Sequence, residues 1–161
     1  ENFIKAAVDV RALDEKYPDV DVDFDIDDDN PMDALSTLID DDGQLRLMQR
    51  MFTKIADNAP LANDVERIAR SSGFDGAMDF ARTGDQIIIA AMRSEMSDAD
   101  LRELSNAEVS PAQLAMIPKE MRGMIEKALL LRDAVENVPA SDVALVREYR
   151  NELEAVVDDD A

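Results

Sequence analysis

The chain contains no cysteine and no histidine. The first absence excludes disulfides, zinc–thiolate sites and cysteine nucleophiles. The second removes the commonest general base, the commonest metal ligand and the usual switch near neutral pH. Together they exclude Ser-His-Asp and Cys-His catalytic sets and the Glu-x-x-His motif of di-iron bundles. Tryptophan is also absent, and the aromatics are five phenylalanines with Tyr17 and Tyr149. Few platforms remain for a sugar ring, so the abundant carboxylates do not by themselves indicate a glycosidase. The five glycines are scattered at 43, 73, 76, 84 and 123, and none belongs to a phosphate-binding loop. Positive charge is scarce: 17 bases face 37 acids, for a net charge of −20. Such a surface repels nucleic acid and anionic lipid, which need cationic side chains to displace their counterions. No run approaches the roughly 18 apolar residues of a membrane span. These exclusions predict a protein that is not an enzyme, does not bind nucleic acid and does not insert into a membrane.

What is present reads as helix. Across Asp85–Met96, DQIIIAAMRSEM, six apolar residues from Ile87 to Met92 follow without a polar break. A helix beginning near Asp85 would be apolar on nearly every side, which suits the middle of a core. Gly84 and Ser97-Asp98 look like its limits. Three consecutive isoleucines also fit a buried strand, but alanine and methionine continue the run and its surroundings are helical.

The remaining periodic segments surround that helix. Glu1–Tyr17 carries Phe3, Ala7, Val10 and Leu13 on one stripe, flanked by Ile4 and Val8, and Pro18 ends it. Asn30-Pro31 starts a short helix over Pro31–Asp40. Gln44–Asn58 follows, with Leu45, Met48, Phe52 and Ile55 inward and a basic stripe of Arg46, Arg50 and Lys54 opposite. Further helices are predicted near Asn63–Ser71, over Phe74–Ala81, after the capping-box start Ser97-x-x-Asp100, and after Ser110-Pro111. Pro118 opens a long helix to about Asn137, which Pro139 stops. Ser141 caps a last one bearing Leu145, Val146, Tyr149, Leu153 and Val156. No internal period suggests a solenoid. The expected fold is all-α: a compact, irregular multi-helix bundle around a central apolar helix, forming a single domain over 1–161. A chain of this length buries about 70% of its unfolded surface, enough for a core without staples.

Two features carry candidate chemistry. Asp19, Asp21, Asp23, Asp25 and Asp27 alternate with Val20, Val22, Phe24 and Ile26 in an acidic extended arm spanning 18–31. Residues 9–42 hold fourteen acids against two bases, so −12 of the net −20 lies in this window. The spacing resembles alternate ligands of a calcium loop, and divalent cation binding by the arm is one expectation. An EF-hand register fails, because its glycine and glutamate positions fall on Phe24 and Asn30, or on Ile26 and Met32. A solvated arm, or one docked on Arg46, Arg50 and Lys54, is the plainer reading. The second feature is methionine. Met48 with Met51, Met92 with Met96, and Met121 with Met124 form thioether pairs on single helix faces. Thioethers can bind copper(I), and flexible methionines can line a groove for a partner helix. Core filling explains the same spacing, since these positions coincide with apolar stripes. Met48, Met51, Met121 and Met124 are the candidate partner-binding residues.

The segments GFDGAMDFARTGDQIIIAAM (73–92) and VPASDVALVREYRNELEAV (138–156) resemble small exported helical proteins of Gram-negative bacteria whose function is not known. The likeness implies an all-α fold and an envelope or secreted location, with no chemistry attached. No signal peptide is visible, and the chain begins at Glu1 without methionine, as it would after removal of a leader or trimming. A cytoplasmic protein is the alternative. The leading functional expectation is a non-enzymatic protein of the bacterial periplasm or exterior, without a cofactor, that binds a protein or peptide through an apolar groove. Calcium binding by the arm is a second. A third is nucleic-acid mimicry, in which the acidic surface occupies a basic protein's DNA-binding groove. The last residues, 158–161, are expected to fray.

Overall fold

A computed structural model describes residues 1–20, 38–40, 43–97, 99–102, 110 and 116–157. Seven α-helices are defined among them: α1 (Asn2–Arg11), α2 (Leu47–Ile55), α3 (Ala59–Ser71), α4 (Ala77–Glu95), α5 (Lys119–Glu136), α6 (Ala140–Glu148) and α7 (Arg150–Val157). Among the described residues the one β feature is an antiparallel bridge between Ile39 and Leu45. The fold is all-helical, and α4 is its hub, packing against α1, α2, α3, α5 and α6.

The core gathers on two sides of α4. On one side Phe80 of α4 is 1% exposed. The Phe3 ring stacks on it at 4.9 Å, and Phe52 and Phe74 meet it edge-on at 5.8 and 5.4 Å. Val65, Ala69 and Ala6 close round this aromatic group. Burial of a ring this size contributes about 1.5–3 kcal/mol, and aromatic pairs add about 0.5–1.5 kcal/mol each. On the other side Ile89 meets Ile39, Leu45 and Val135, with Leu131 and Val138 packed against them.

The helix limits differ from the sequence expectation in instructive ways. The central helix begins at Ala77, absorbs the short Phe74–Ala81 helix, and carries Gly84 in its interior. A Cβ at Gly84 would overlap Met48 Sδ and lie 3.0 Å from Phe3 Cε2. Glycine is there so that α1, α2 and α4 can close on one another, and it does not end a helix. Nor is the isoleucine run wrapped on all sides: Ile89 and Ala90 are buried, while Ile87, Ile88 and Met92 are only partly covered.

The helix expected from Gln44 starts at Leu47, because residues 44–46 pair with 38–40 instead of joining the helix. Asp40 N donates to Gln44 O, Arg46 N donates to Leu38 O, and Gly43 supplies φ 77° at the turn. Of the helix expected over Pro31–Asp40, residues 31–37 lie outside the described residues, and Ile39 and Asp40 belong to this turn. Pro60 sits in the first turn of α3, and the Asn58 side chain accepts from Leu61 N at 3.2 Å as the cap. At the other end of α3, Gly73 (φ 94°) allows the Phe74 N–H to reach Ala69 O at 3.1 Å, a Schellman closure. The Ser97–Asp100 capping box forms as expected, with Asp100 Oδ2 accepting from Ser97 N at 2.9 Å and Ser97 Oγ donating to it at 2.7 Å. The final segment breaks at Tyr149 into α6 and α7. Leu145, expected inward, is 53% exposed, and Val8, beside the stripe of α1, is 52% exposed.

Candidate functional site

Two helices here have N-termini capped by carboxylates borrowed from elsewhere in the fold. Neither Arg46 before α2 nor Gly76 before α4 caps its helix with its own side chain. Free N–H groups at a helix start attract negative charge. Glu66 of α3 supplies it for α4, accepting from Ala77 N at 2.7 Å while Arg70 donates to it at 2.7 Å. The Ala77 N–H first, then Arg70, holds the Glu66 carboxyl below its ordinary value. Asp85 of α4 supplies it for α2, accepting from Met48 N at 2.7 Å and Gln49 Nε2 at 3.0 Å. Asp85 is 3% exposed, and burial pushes its carboxyl up against the opposing pull of those donors. A third carboxylate, Asp64 on α3, ties down the turn after α1. Lys16, the Tyr17 hydroxyl at 2.8 Å and Arg67 at 3.1 Å all donate to it, Lys16 most strongly, and its carboxyl lies well below the carboxylate range.

With α2, α3 and α4 pinned in this way, the uncovered part of the isoleucine run faces α1, α6 and α7. There it lines two adjoining cavities of about 330 and 400 Å³. Phe3, Ile87, Val146 and Leu153 line both. The larger continues beneath α7 over Met48, Gly84 and Ile88. Gly84 lies in its lining, with Met48 and Phe3 closed against it. This is a groove with an apolar lining, of the size that takes side chains or a small ligand.

Its rim is acidic. Glu1 and Asp142 edge the smaller cavity, and Glu95 and Glu154 edge the larger. Arg150 bridges the last two, donating to Glu95 Oε1 at 2.8 Å and Glu154 Oε1 at 2.6 Å. The Tyr149 hydroxyl donates to Glu1 Oε1 at 3.2 Å, and that carboxylate raises the phenol above its ordinary value. These contacts are exposed and add little stability, and the four acids outnumber Arg150, so the rim is net negative.

Of the methionines singled out by spacing, Met48 lines the groove. Met51 is half-buried on the same helix. Met121 is 49% exposed on α5, and the side chain of Met124 lies outside what the structure describes. The groove walls are instead Phe3, Ile87, Val146 and Leu153, which stripe reading assigned to the core. One sequence signal was available: six consecutive apolar residues exceed what one buried face can take. In the acidic arm, Asp19 is exposed, while Asp21, Asp23, Asp25 and Asp27 lie outside the described residues. Among the described residues no group of three or more Asp, Glu, His or Cys is placed to hold a metal ion. The basic stripe is partly engaged, since Arg46 pairs with Asp40 and Arg50 is half-buried. Among the described residues, no helix is long and apolar enough to cross a membrane. Comparison with protein-family models, with curated proteins and with solved structures gives no match.

Proposed function

We propose that this is a non-enzymatic helical binding protein whose groove between α1, α4 and the α6–α7 pair takes the apolar face of a basic peptide or protein segment. The observation that supports it is the groove itself: an apolar floor along Ile87 and Ile88 with carboxylates at both mouths. An amphipathic helix laid in such a groove buries its apolar side chains on the floor and offers lysine or arginine to the rim. The net charge of −20 speeds the encounter with a basic partner and disfavours acidic ones. An exported or periplasmic location belongs to the same proposal and rests on the resemblance of residues 73–92 and 138–156.

The test is fluorescence anisotropy with a labelled cationic amphipathic helix. A scrambled peptide of equal charge, with its apolar face dispersed, is the control. Expected is saturable binding by the amphipathic peptide, at least tenfold tighter than the scrambled one. Ile87→Asn should weaken it while the helical circular dichroism is retained. Equal binding of both peptides would reduce the interaction to bulk charge and overturn the reading, as would no binding by either.

A further inference from the structure

The two ends of the groove differ in how their carboxylates are held. Both ends lie along α4: Thr83 and Gln86 line the smaller cavity, and Ser94 and Glu95 line the larger. Thr83 and Glu95 stand twelve residues apart, about 18 Å along the helix axis. At the Glu95 end the acids are already matched by bases of this chain. Arg150 grips Glu95 and Glu154 together, at 2.8 and 2.6 Å. Arg147 stands beside them, donating to Ser94 O at 3.0 Å. Two carboxylates and two guanidinium groups leave this end near neutral.

At the Thr83 end the acids meet neutral donors. Glu1 Oε1 accepts from the Tyr149 hydroxyl at 3.2 Å, and Asp142 Oδ1 accepts from Ser141 Oγ at 3.1 Å. Among the described residues no lysine or arginine pairs with either acid. Arg82 lines the neighbouring cleft together with Asp142 but turns to Asp79 at 3.7 Å. Both acids are exposed, so each carboxylate keeps an oxygen open to a partner. A cation arriving at this end gains an ion pair. One arriving at the other end meets Arg150 and is repelled, and a like-charge clash of this kind rejects a wrong partner. Given that the groove takes a basic amphipathic segment, on which this inference rests, we propose that the segment is charged at one end only. Its lysine or arginine lies at Asp142 and Glu1. About three helical turns of apolar side chains follow along Ile87 and Ile88, and no base stands at the Glu95 end. Arg150 is then a specificity-determining residue: it supplies the cation of that end from within the chain.

The probe is a labelled helical peptide, blocked at both termini, with one apolar stripe and two lysines. The lysines stand together at its N-terminal end, together at its C-terminal end, or one at each end, so composition and charge are the same in all three. Anisotropy with the full chain should show one clustered peptide binding about threefold tighter than the split one, the scale of an exposed ion pair. Asp142→Asn should remove that advantage. Arg150→Gln frees Glu95 and Glu154 and should tighten the split peptide about threefold, with the helical circular dichroism retained. A split peptide that binds wild type as tightly as either clustered one overturns the proposal and leaves the function of the groove standing. So does a clustered advantage that survives Asp142→Asn, or one that Arg150→Gln leaves unchanged. No binding by any of the three overturns the function of the groove itself, and this proposal with it.

Discussion

Gly84→Ala is expected to destabilise the protein, although alanine is the better helix former. Replacing an interior helical glycine by alanine gains about 1 kcal/mol from propensity alone. Here the new methyl would overlap Met48 Sδ and stand 3.0 Å from both Met48 Cε and Phe3 Cε2. Overpacking of this kind costs about 1–3 kcal/mol. The net loss is therefore about 1 kcal/mol, or about 2–4 °C in Tm for a chain of this size. Met48→Ala removes the side chain in the way. In that background Gly84→Ala loses most of its penalty and gains stability by up to about 1 kcal/mol. The double-mutant cycle, measured by urea denaturation, should then show a coupling of about 2 kcal/mol. A coupling below about 0.5 kcal/mol, with Gly84→Ala stabilising the wild-type background, would refute the close contact between α2 and α4.

Four further outcomes follow from the fold and its charge. Asp85→Ala removes the cap of α2 and leaves buried N–H groups without an acceptor, so urea denaturation at pH 7 should show a loss of about 2 kcal/mol. Because burial raises the Asp85 carboxyl, the folded state holds that proton more tightly than the unfolded state does. Its contribution is fully present below the unfolded value of 3.8 and declines as pH rises through the folded value. Burial outweighs the donors on Met48 and Gln49, so wild type should lose ground to Asp85→Asn as pH rises from about 3; a pH-independent difference would refute this. Gly43→Ala should cost about 1–3 kcal/mol, since φ is 77° and the new methyl would meet Leu130 Cβ at 3.1 Å; an unchanged Tm refutes the turn. Finally, Tm should climb as sodium chloride increases from 10 to 500 mM (about 30 to 4 Å in screening length), because a net −20 opposes compaction; a flat curve refutes it.

Local signals in the sequence were readable, and distant ones were not. Ser97 and Asp100 lie three residues apart and form the capping box their order predicts. Pro118 opens its helix for an equally local reason, the fixed backbone angle of proline. Gly84 reads as punctuation until Met48, far along the chain, is known to press against it. Asp85 reads as the start of a helix, yet its partners are backbone groups 36 and 37 residues earlier. The groove was anticipated as apolar but assigned to methionines. Its walls bring Phe3 together with Leu153, and no periodicity in one helix reports on a helix at the other end of the chain. Leu145 shows the converse: it fits its helix stripe, yet it is left 53% exposed.

The clasp between the first and last helices bears on the order in which the molecule assembles. Arg11 donates to the carbonyls of Ala155 and Val156, 144 and 145 residues away. Closing a loop of that length costs about 4 kcal/mol in chain entropy. The contact therefore forms after the nearer partnership of α2, α3 and α4 has shortened the effective separation. A nascent chain can complete its aromatic centre while still tethered to the ribosome. It cannot roof the groove until α7 emerges, so the groove is completed after the aromatic centre.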